Sequence, residues 1–440
     1  ADFMQQDTAW FERQLINTQL VGEFRPMDDL SIDLRLGYAN SQREAPYQTS
    51  FEYVRTNAPS DPFGDMFVNR LNGNTGEASV TFSNLNEDLF SGGLDLSYRL
   101  NPAFTVTVGG AASDAVRDSS RRFFLFRAGT NFPTGVEVLR PDLLLAQGIV
   151  SGLGIALIEP DESTPAFRGK LRNWAGYVKL NAELGEAFSL DAGVRYEKAK
   201  QSVTALQVFA TPPTITNPEP LDNQYWLPAA TLTWRAQPDI QVRISASKTI
   251  ARPQFRELIY QPFFDPESNR QYLGNPLLQD SELYNGEARV EWYFAPQQSF
   301  SVAGFYKKID KPIEAFVSLL SDALVTSYAN APEATLYGGE IELQKHFDMS
   351  SMGGWFSDRR LVALANYTYT KSELKVGADD PVAVFAAASS IATDYFRDGS
   401  ALTGQSDHVA NLQLGFENTE RLSQQTILLS YASQRVVSRG

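Results

Sequence analysis

The sequence predicts an antiparallel transmembrane β-barrel, and three observations carry that prediction. Segments of alternating apolar and polar residues recur along the 440-residue chain. The connections between them take turns, one tight and the next long. Aromatic residues repeat at a separation close to the height of the apolar band of a membrane barrel.

The alternation comes first because it defines the elements. In 188–197 Phe188, Leu190, Ala192, Val194 and Tyr196 share one face, and Ser189, Asp191, Gly193, Arg195 and Glu197 the other. In 240–247 Ile240, Val242, Ile244 and Ala246 oppose Gln241, Arg243, Ser245 and Ser247. Leu30, Ile32, Leu34, Leu36 and Tyr38 likewise oppose Ser31, Asp33, Arg35 and Gly37, and 94–100, 174–184 and 286–294 behave the same way. Successive side chains of a strand point to opposite faces, so each segment is a strand with one oily and one wet wall. Fourteen are predicted: 11–24, 29–40, 88–100, 104–116, 173–184, 188–202, 224–236, 240–253, 282–294, 299–313, 335–346, 360–375, 407–417 and 424–437.

The connections come next. Arg25–Asp29, Asn101–Ala103, Gly185–Ala187, Ala236–Asp239 and Ala295–Gln298 are tight turns rich in Asn, Asp, Gly and Pro. Between them run long links at 41–87, 117–172, 203–223, 254–281, 314–334 and 376–406. A soluble sandwich has no reason to gather its long loops at one end, whereas membrane barrels pair short periplasmic turns with long extracellular loops. Trp226 and Trp234 point the same way eight residues apart, roughly 26 Å along a strand. Phe188 and Tyr196 repeat the spacing. Lipid offers no partner to an unpaired backbone group, so the sheet must close. Fourteen strands ending at Gly440 are therefore read as part of a larger wall.

Composition narrows the function classes. The formal net charge of -14 argues against nucleic acid, whose phosphates need a basic stripe. With no cysteine, thiolate metal sites, disulfides and Cys nucleophiles are excluded. No stretch approaches the roughly 18 apolar residues of a membrane helix. The chain opens at Ala1 with neither an initiator Met nor a basic-then-apolar leader, so no signal peptide is expected within it. No G-x-S-x-G, P-loop, dinucleotide glycine pattern or HExxH is present, and no enzyme activity or cofactor is expected.

Four stretches carry a resemblance between Trp174 and Val317: "WAGYVKL…FSLDAGVRYEKAK", "YWLPAATLTWRAQPDIQVRISASKTIARPQFREL", "GNPLLQDSELYNGEARVEWYF" and "SVAGFYKKIDKPIEAFV". With "LTGQSDHVANLQLGFEN" at 402–418, they resemble the TonB-dependent outer-membrane receptor family. The resemblance implies a barrel of about 22 strands around an N-terminal plug, preceded by a TonB box that draws energy from the inner membrane. It also implies outer-membrane lipid, TonB and a small-molecule substrate (siderophore, vitamin or glycan) as partners, and a Gram-negative outer-membrane location. Nothing in 1–440 reads as plug or TonB box, and "VVSRG" lacks the family's terminal aromatic strand. The chain is therefore expected to be one barrel domain missing its plug and last strands.

Particular residues were weighed against plainer roles. Gly274, Asn275 and Pro276 form a turn at the end of 254–281, a structural role preferred over ligand contact. Arg252-Pro253 ends a strand at the extracellular rim, since Pro cannot donate to the ladder. Tyr260, Phe263, Phe264 and Tyr395, in "PFFDP" and "YFRDG", could offer an aromatic binding surface for a sugar or catecholate, with loop-on-loop packing as the default. The inward charges, among them Asp33, Arg35, Asp95, Arg99, Asp191, Arg195, Arg243, Glu287, Arg289, Glu291, Glu340 and Glu342, are expected to pair across strands in a hydrated wall. His346 and His408 do not make a metal site. Asp379-Asp380 and Asp265-Pro266-Glu267 lack the ligand count of a Ca²⁺ loop.

Three function classes follow. The first is an active receptor for a scarce solute such as an iron-siderophore, cobalamin or an oligosaccharide. The second is a passive porin, which would conduct ions alone. The third is a soluble β-rich binding protein, at odds with so many outward Leu, Val and Trp side chains.

Overall fold

A computed structural model describes residues 1–129, 132–161, 165–210, 219–265, 270–320, 323–418, 420–421, 423–437 and 439. One antiparallel sheet dominates it. Its strands in chain order are β1 (Asp2–Met27), β2 (Leu30–Arg55), β3 (Glu77–Asn101) and β4 (Phe104–Arg127). After the short helices α1 (Pro141–Leu144) and α2 (Gln147–Leu153) and strand β5 (Ala156–Ile158) come β6 (Ala166–Leu184), β7 (Phe188–Leu206), β8 (Leu221–Gln237) and β9 (Ile240–Ala251). A loop carrying α3 (Phe255–Leu258), β10 (Pro262–Asp265) and β11 (Arg270–Leu273) leads to β12 (Ser281–Ala295) and β13 (Gln298–Asp310). The hairpin β14 (Ile313–Leu320) and β15 (Ala323–Asn330) precedes β16 (Glu333–Asp348), β17 (Arg359–Lys375), β18 (His408–Asn418) and β19 (Gln424–Ala432).

The order β1-β2-β3-β4-β6-β7-β8-β9-β12-β13-β16-β17-β18-β19 makes every strand of the main path a neighbour of its sequence predecessor, with β5 added at the edge of β4. Because each pair is antiparallel, alternate connections fall at opposite rims. Residues 28–29, 102–103, 185–187, 238–239, 296–297 and 349–358 turn at one rim, where β18 also ends and β19 begins. The links 56–76, 128–165, 207–220, 252–280, 311–332 and 376–407 all leave the other. The sheet is open among the described residues, with β1 and β19 at its two ends.

The face assignment holds. Trp174 (51% exposed), Ile244 (55%) and Val290 (47%) lie on the outside, and Leu190 and Val242 are half-buried, so none points into a dry core. Aromatic pairs mark both edges of this apolar band. Phe188 stacks on Trp234 at 6.1 Å between ring centroids, and Tyr196 meets Trp226 at 4.9 Å. Tyr284 and Trp292 repeat the eight-residue spacing on β12. Several of the inward charges pair across strands, and Arg289–Glu287 and Arg195–Glu197 pair along one strand. Arg289 reaches Glu287 (3.2 Å), Glu340 (2.9 Å) and Glu342 (3.4 Å), Arg243 reaches Glu291 (3.4 Å), and Arg35 pairs with Asp95.

Several strands run well past their predicted ends. β1 starts at Asp2 rather than 11, β2 continues to Arg55 rather than 40, β3 starts at Glu77 rather than 88, and β4 ends at Arg127 rather than 116. Beyond the apolar band neither face meets lipid, so alternation is no longer required there, while the backbone ladder persists. The 254–281 and 314–334 links also contain a second sheet, in the order β10-β11-β15-β14, where long loops were expected.

The buried apolar clusters belong to the long-loop end. One gathers Phe316, Leu374, Val382 and Phe396; a second Phe51, Tyr53, Leu71 and Leu144; a third Phe167, Val203, Phe255 and Leu278. In the second, the Tyr53 hydroxyl donates to the Leu139 carbonyl (2.7 Å), and burial pushes its pKa up to about 12. The neutral phenol is the form this packing favours. Its contribution is complete below pH 10 and lost as pH rises towards 12. Alkaline loosening of the 128–165 link, followed by limited proteolysis, is expected in that window and absent in Tyr53→Phe.

Candidate functional site: the loop-covered mouth

At the long-loop rim β9 stops at Ala251, and the chain turns over the inward face. The turn is tied down by polar contacts. Arg252 pairs with Glu197 at 2.7 Å, which also accepts from Arg195 at 2.7 Å. The Pro253 carbonyl accepts a hydrogen bond from Gln201 Nε2 at 2.7 Å. At the far end of the loop, Asp280 accepts from Asn223 (3.1 Å) and the Tyr225 hydroxyl (3.0 Å). Arg252-Pro253 thus ends its strand at the rim, two residues earlier than the predicted boundary at 253.

Between these anchors α3 drives Phe255 and Leu258 onto Phe167 and Val203 of the inward face. A capping box opens the helix, with the Gln254 backbone donating to Glu257 at 2.8 Å. Burial pushes the Glu257 carboxyl up in pKa, against that hydrogen bond. The 252–280 loop therefore folds inward rather than standing above the rim.

Asn275 joins three loops. The side chain is 1% exposed. Its Nδ2 donates to the Tyr328 carbonyl (2.9 Å) and the Ala383 carbonyl (2.8 Å). Its Oδ1 accepts from the Leu277 (3.0 Å) and Phe385 (3.2 Å) amides, and its own amide donates to the Glu257 carbonyl at 2.6 Å. Gly274 is required beside it. A Cβ there would press on the carbonyl oxygens of Ile259, Arg256 (2.7 Å) and Glu257 (2.8 Å). Gly274→Ala is expected to cost the loop about 1–3 kcal/mol through overpacking, read as earlier proteolytic cutting within 252–280. Pro276 is half-buried in the same turn.

The aromatic candidates sit in this assembly, each on a ring partner. Tyr260 meets Phe385 edge-on at 5.0 Å, and Phe263 stacks on Tyr272 at 5.2 Å. Tyr395 packs against Phe316 at 4.9 Å, and its hydroxyl donates to the Ser389 carbonyl. Burial raises the pKa of that hydroxyl. Phe264 pairs with Gln271 through the β10 backbone, and its side chain lies outside the described residues, as do Pro266 and Glu267. Tyr260 and Tyr395 each pack on a ring from another loop, and Phe263 on Tyr272 of its own loop.

The remaining candidates are dispersed. His408 Nδ1 lies 2.8 Å from the Tyr367 hydroxyl, and His346 sits on β16. Asp380 accepts from the Gly377 amide (2.6 Å), a local turn contact. Among the described residues no group of three His, Cys, Asp or Glu side chains could hold a metal ion.

Sequence reasoning missed a cavity. Between the folded-in loop and the inward face of β1–β4 lies a space of about 750 Å³, lined by Arg13, Arg43, Arg117 and Arg256 with Phe11 and Phe263. The signal was present only as isolated arginines, one in the strand 11–24 and one in each of the links 41–87, 117–172 and 254–281.

Comparison with known proteins agrees with this architecture. Residues 2–439 match the family model "TonB dependent receptor-like, beta-barrel". A sequence search of curated proteins gave no match. Among solved structures, the siderophore receptor PiuA from Acinetobacter baumannii superposes with a TM-score of 0.61 at 12% identity, over 96% of this chain and 55% of that one. The copper transporter OprC does so with a TM-score of 0.51 at 11% identity, over 92% and 56%. At such identity these likenesses show the fold, and the chain spans little more than half the length of either protein. With its wet-inside, oily-outside sheet and a family match from residue 2 to residue 439, the chain belongs to the TonB-dependent receptor β-barrel family.

Proposed function

We propose that residues 1–440 act as one barrel domain, the wall and mouth of a receptor for energised uptake across the outer membrane of a Gram-negative bacterium. A scarce solute (iron-siderophore, cobalamin or oligosaccharide) is captured by the long loops and passed inward at the expense of energy delivered by TonB. The observation that carries this reading is the folding of the 252–280 loop onto the inward face, locked to its neighbours by Asn275. Loops locked together in this way form a structured mouth, which suits the capture of a solute. Tyr260, Phe263, Phe264 and Tyr395 are candidate solute contacts within that mouth. No catalytic step is invoked.

Planar-bilayer recording on the full-length protein tests the reading. The expected result is no steady ohmic conductance, together with uptake of one member of a panel of labelled solutes that disappears in cells lacking TonB. Steady conductance, or uptake indifferent to TonB, would transfer the protein to the passive-pore class.

A further inference from the structure

From the cavity beneath the 252–280 loop we infer that the ligand is a polyanion, held by Arg13, Arg43 and Arg256. This inference rests on the receptor reading and names its substrate class.

The first observation is a register. Arg13 of β1 and Arg43 of β2 are direct cross-strand partners, both lining the cavity. Like charges placed directly opposite in a sheet repel and destabilise the pair. The folded-in loop then brings a third guanidinium, Arg256, to the same space. None of the three makes an ion pair with a carboxylate among the described residues. Arg43 is moreover half-buried. A chain with a net charge of -14 has acids to spare, yet it places them elsewhere. Of the two acids lining the cavity, Asp7 is contacted by Gln5 (3.2 Å) and Glu77 is held by Arg127 at 2.6 Å. Arg117, also in the wall, is neutralised by Glu87 at 2.5 Å. Three like charges facing one cavity repel one another, most at half-buried Arg43, and a bound anion would relieve that repulsion.

The second observation is the shape of the donors. The Arg43 guanidinium lies 4.7 Å from the Phe11 ring centroid and Arg256 lies 4.3 Å from that of Phe263. Stacking holds each planar fork in place, so less freedom is lost when it grips a carboxylate or phosphate in bidentate fashion. Phe263 is itself stacked on Tyr272 at 5.2 Å, so the two rings serve to fix the guanidinium forks. A ligand carrying two or more negative charges satisfies both features. A neutral oligosaccharide would leave the cations unpaired.

Calorimetric titration of the detergent-purified full-length protein tests the proposal with three probes: benzene-1,3,5-tricarboxylate, citrate and maltohexaose. Both trianions are expected to bind saturably, with affinities that fall as salt rises, while maltohexaose does not bind. Arg43→Gln and Arg256→Gln are each expected to weaken binding about tenfold, the loss of one charge-assisted contact. Arg256 lies on an exposed part of the loop, so its variant retains the barrel, checked by heat-modifiable gel migration. Binding of maltohexaose as tight as that of the trianions, no binding of either anion, or affinity within twofold of wild type in Arg256→Gln would each overturn it. The measurement is independent of TonB. Anion binding without energised uptake would sink the receptor reading and leave the site, and the converse result would do the opposite.

Discussion

Val290→Arg is expected to destabilise the barrel by about 1–3 kcal/mol in a bilayer, the cost of a guanidinium on the lipid face between mid-membrane and the Trp292 rim. Val290 lies six residues from Tyr284 and two from Trp292, inside the apolar band, and is half exposed in a molecule with no protein to cover it. Its cross-strand neighbours Val242 and Val302 are equally apolar, so the new charge finds no partner within reach. Ser245→Arg on the adjacent strand provides the contrast. Ser245 faces inward and lies opposite Glu287, which can pair with the introduced cation. Urea titration of protein refolded into lipid vesicles should therefore separate the two, with a large shift for Val290→Arg and a small one for Ser245→Arg. Equal losses would mean that the two faces of the sheet have been exchanged.

Asn275→Leu is expected to free the three loops from one another while leaving the barrel ladder intact. Leucine keeps the branching of asparagine but is bulkier, so overpacking of the buried site adds to the loss of the hydrogen bonds. The Tyr328 and Ala383 carbonyls and the Leu277 and Phe385 amides lose their partner in a buried site. Each orphaned group costs about 1–3 kcal/mol, and the loop assembly should lose on the order of 3 kcal/mol or more. Because Asn275 lies outside the strands of the main sheet, the loss is local. Hydrogen exchange should show faster exchange at 252–280, 311–332 and 376–407 and unchanged protection in β6–β9. Protection retained in all three loops would remove Asn275 from its role as their common anchor.

The two experiments address parts of the molecule that differed in legibility. The start of β7 at Phe188, the start of β9 at Ile240, and the outward set Ile244, Val290 and Trp226 could be read from the chain, because lipid on one face and water on the other force alternation residue by residue. The GNP turn was visible as a turn, but not as a junction. Asn275 meets Tyr328 and Ala383, 53 and 108 residues away, and no local pattern announces such a meeting. The β11–β15 pairing, with Gln271 beside Val325, is hidden for the same reason. The ring partners of Tyr260 and Tyr395, Phe385 and Phe316, come from other loops too.

Sequence by itself determined the class of the fold, the face of each strand within the apolar band and the rim from which the long links depart. Those features answer to a solvent boundary that every strand crosses, so each strand carries its own record of it. Tertiary structure alone decided how far the strands continue above that boundary, how the 252–280 loop folds inward, and that Arg13, Arg43 and Arg256 face one cavity. There the deciding quantity is proximity between distant segments, set by cross-strand register and loop packing rather than by the medium each residue meets.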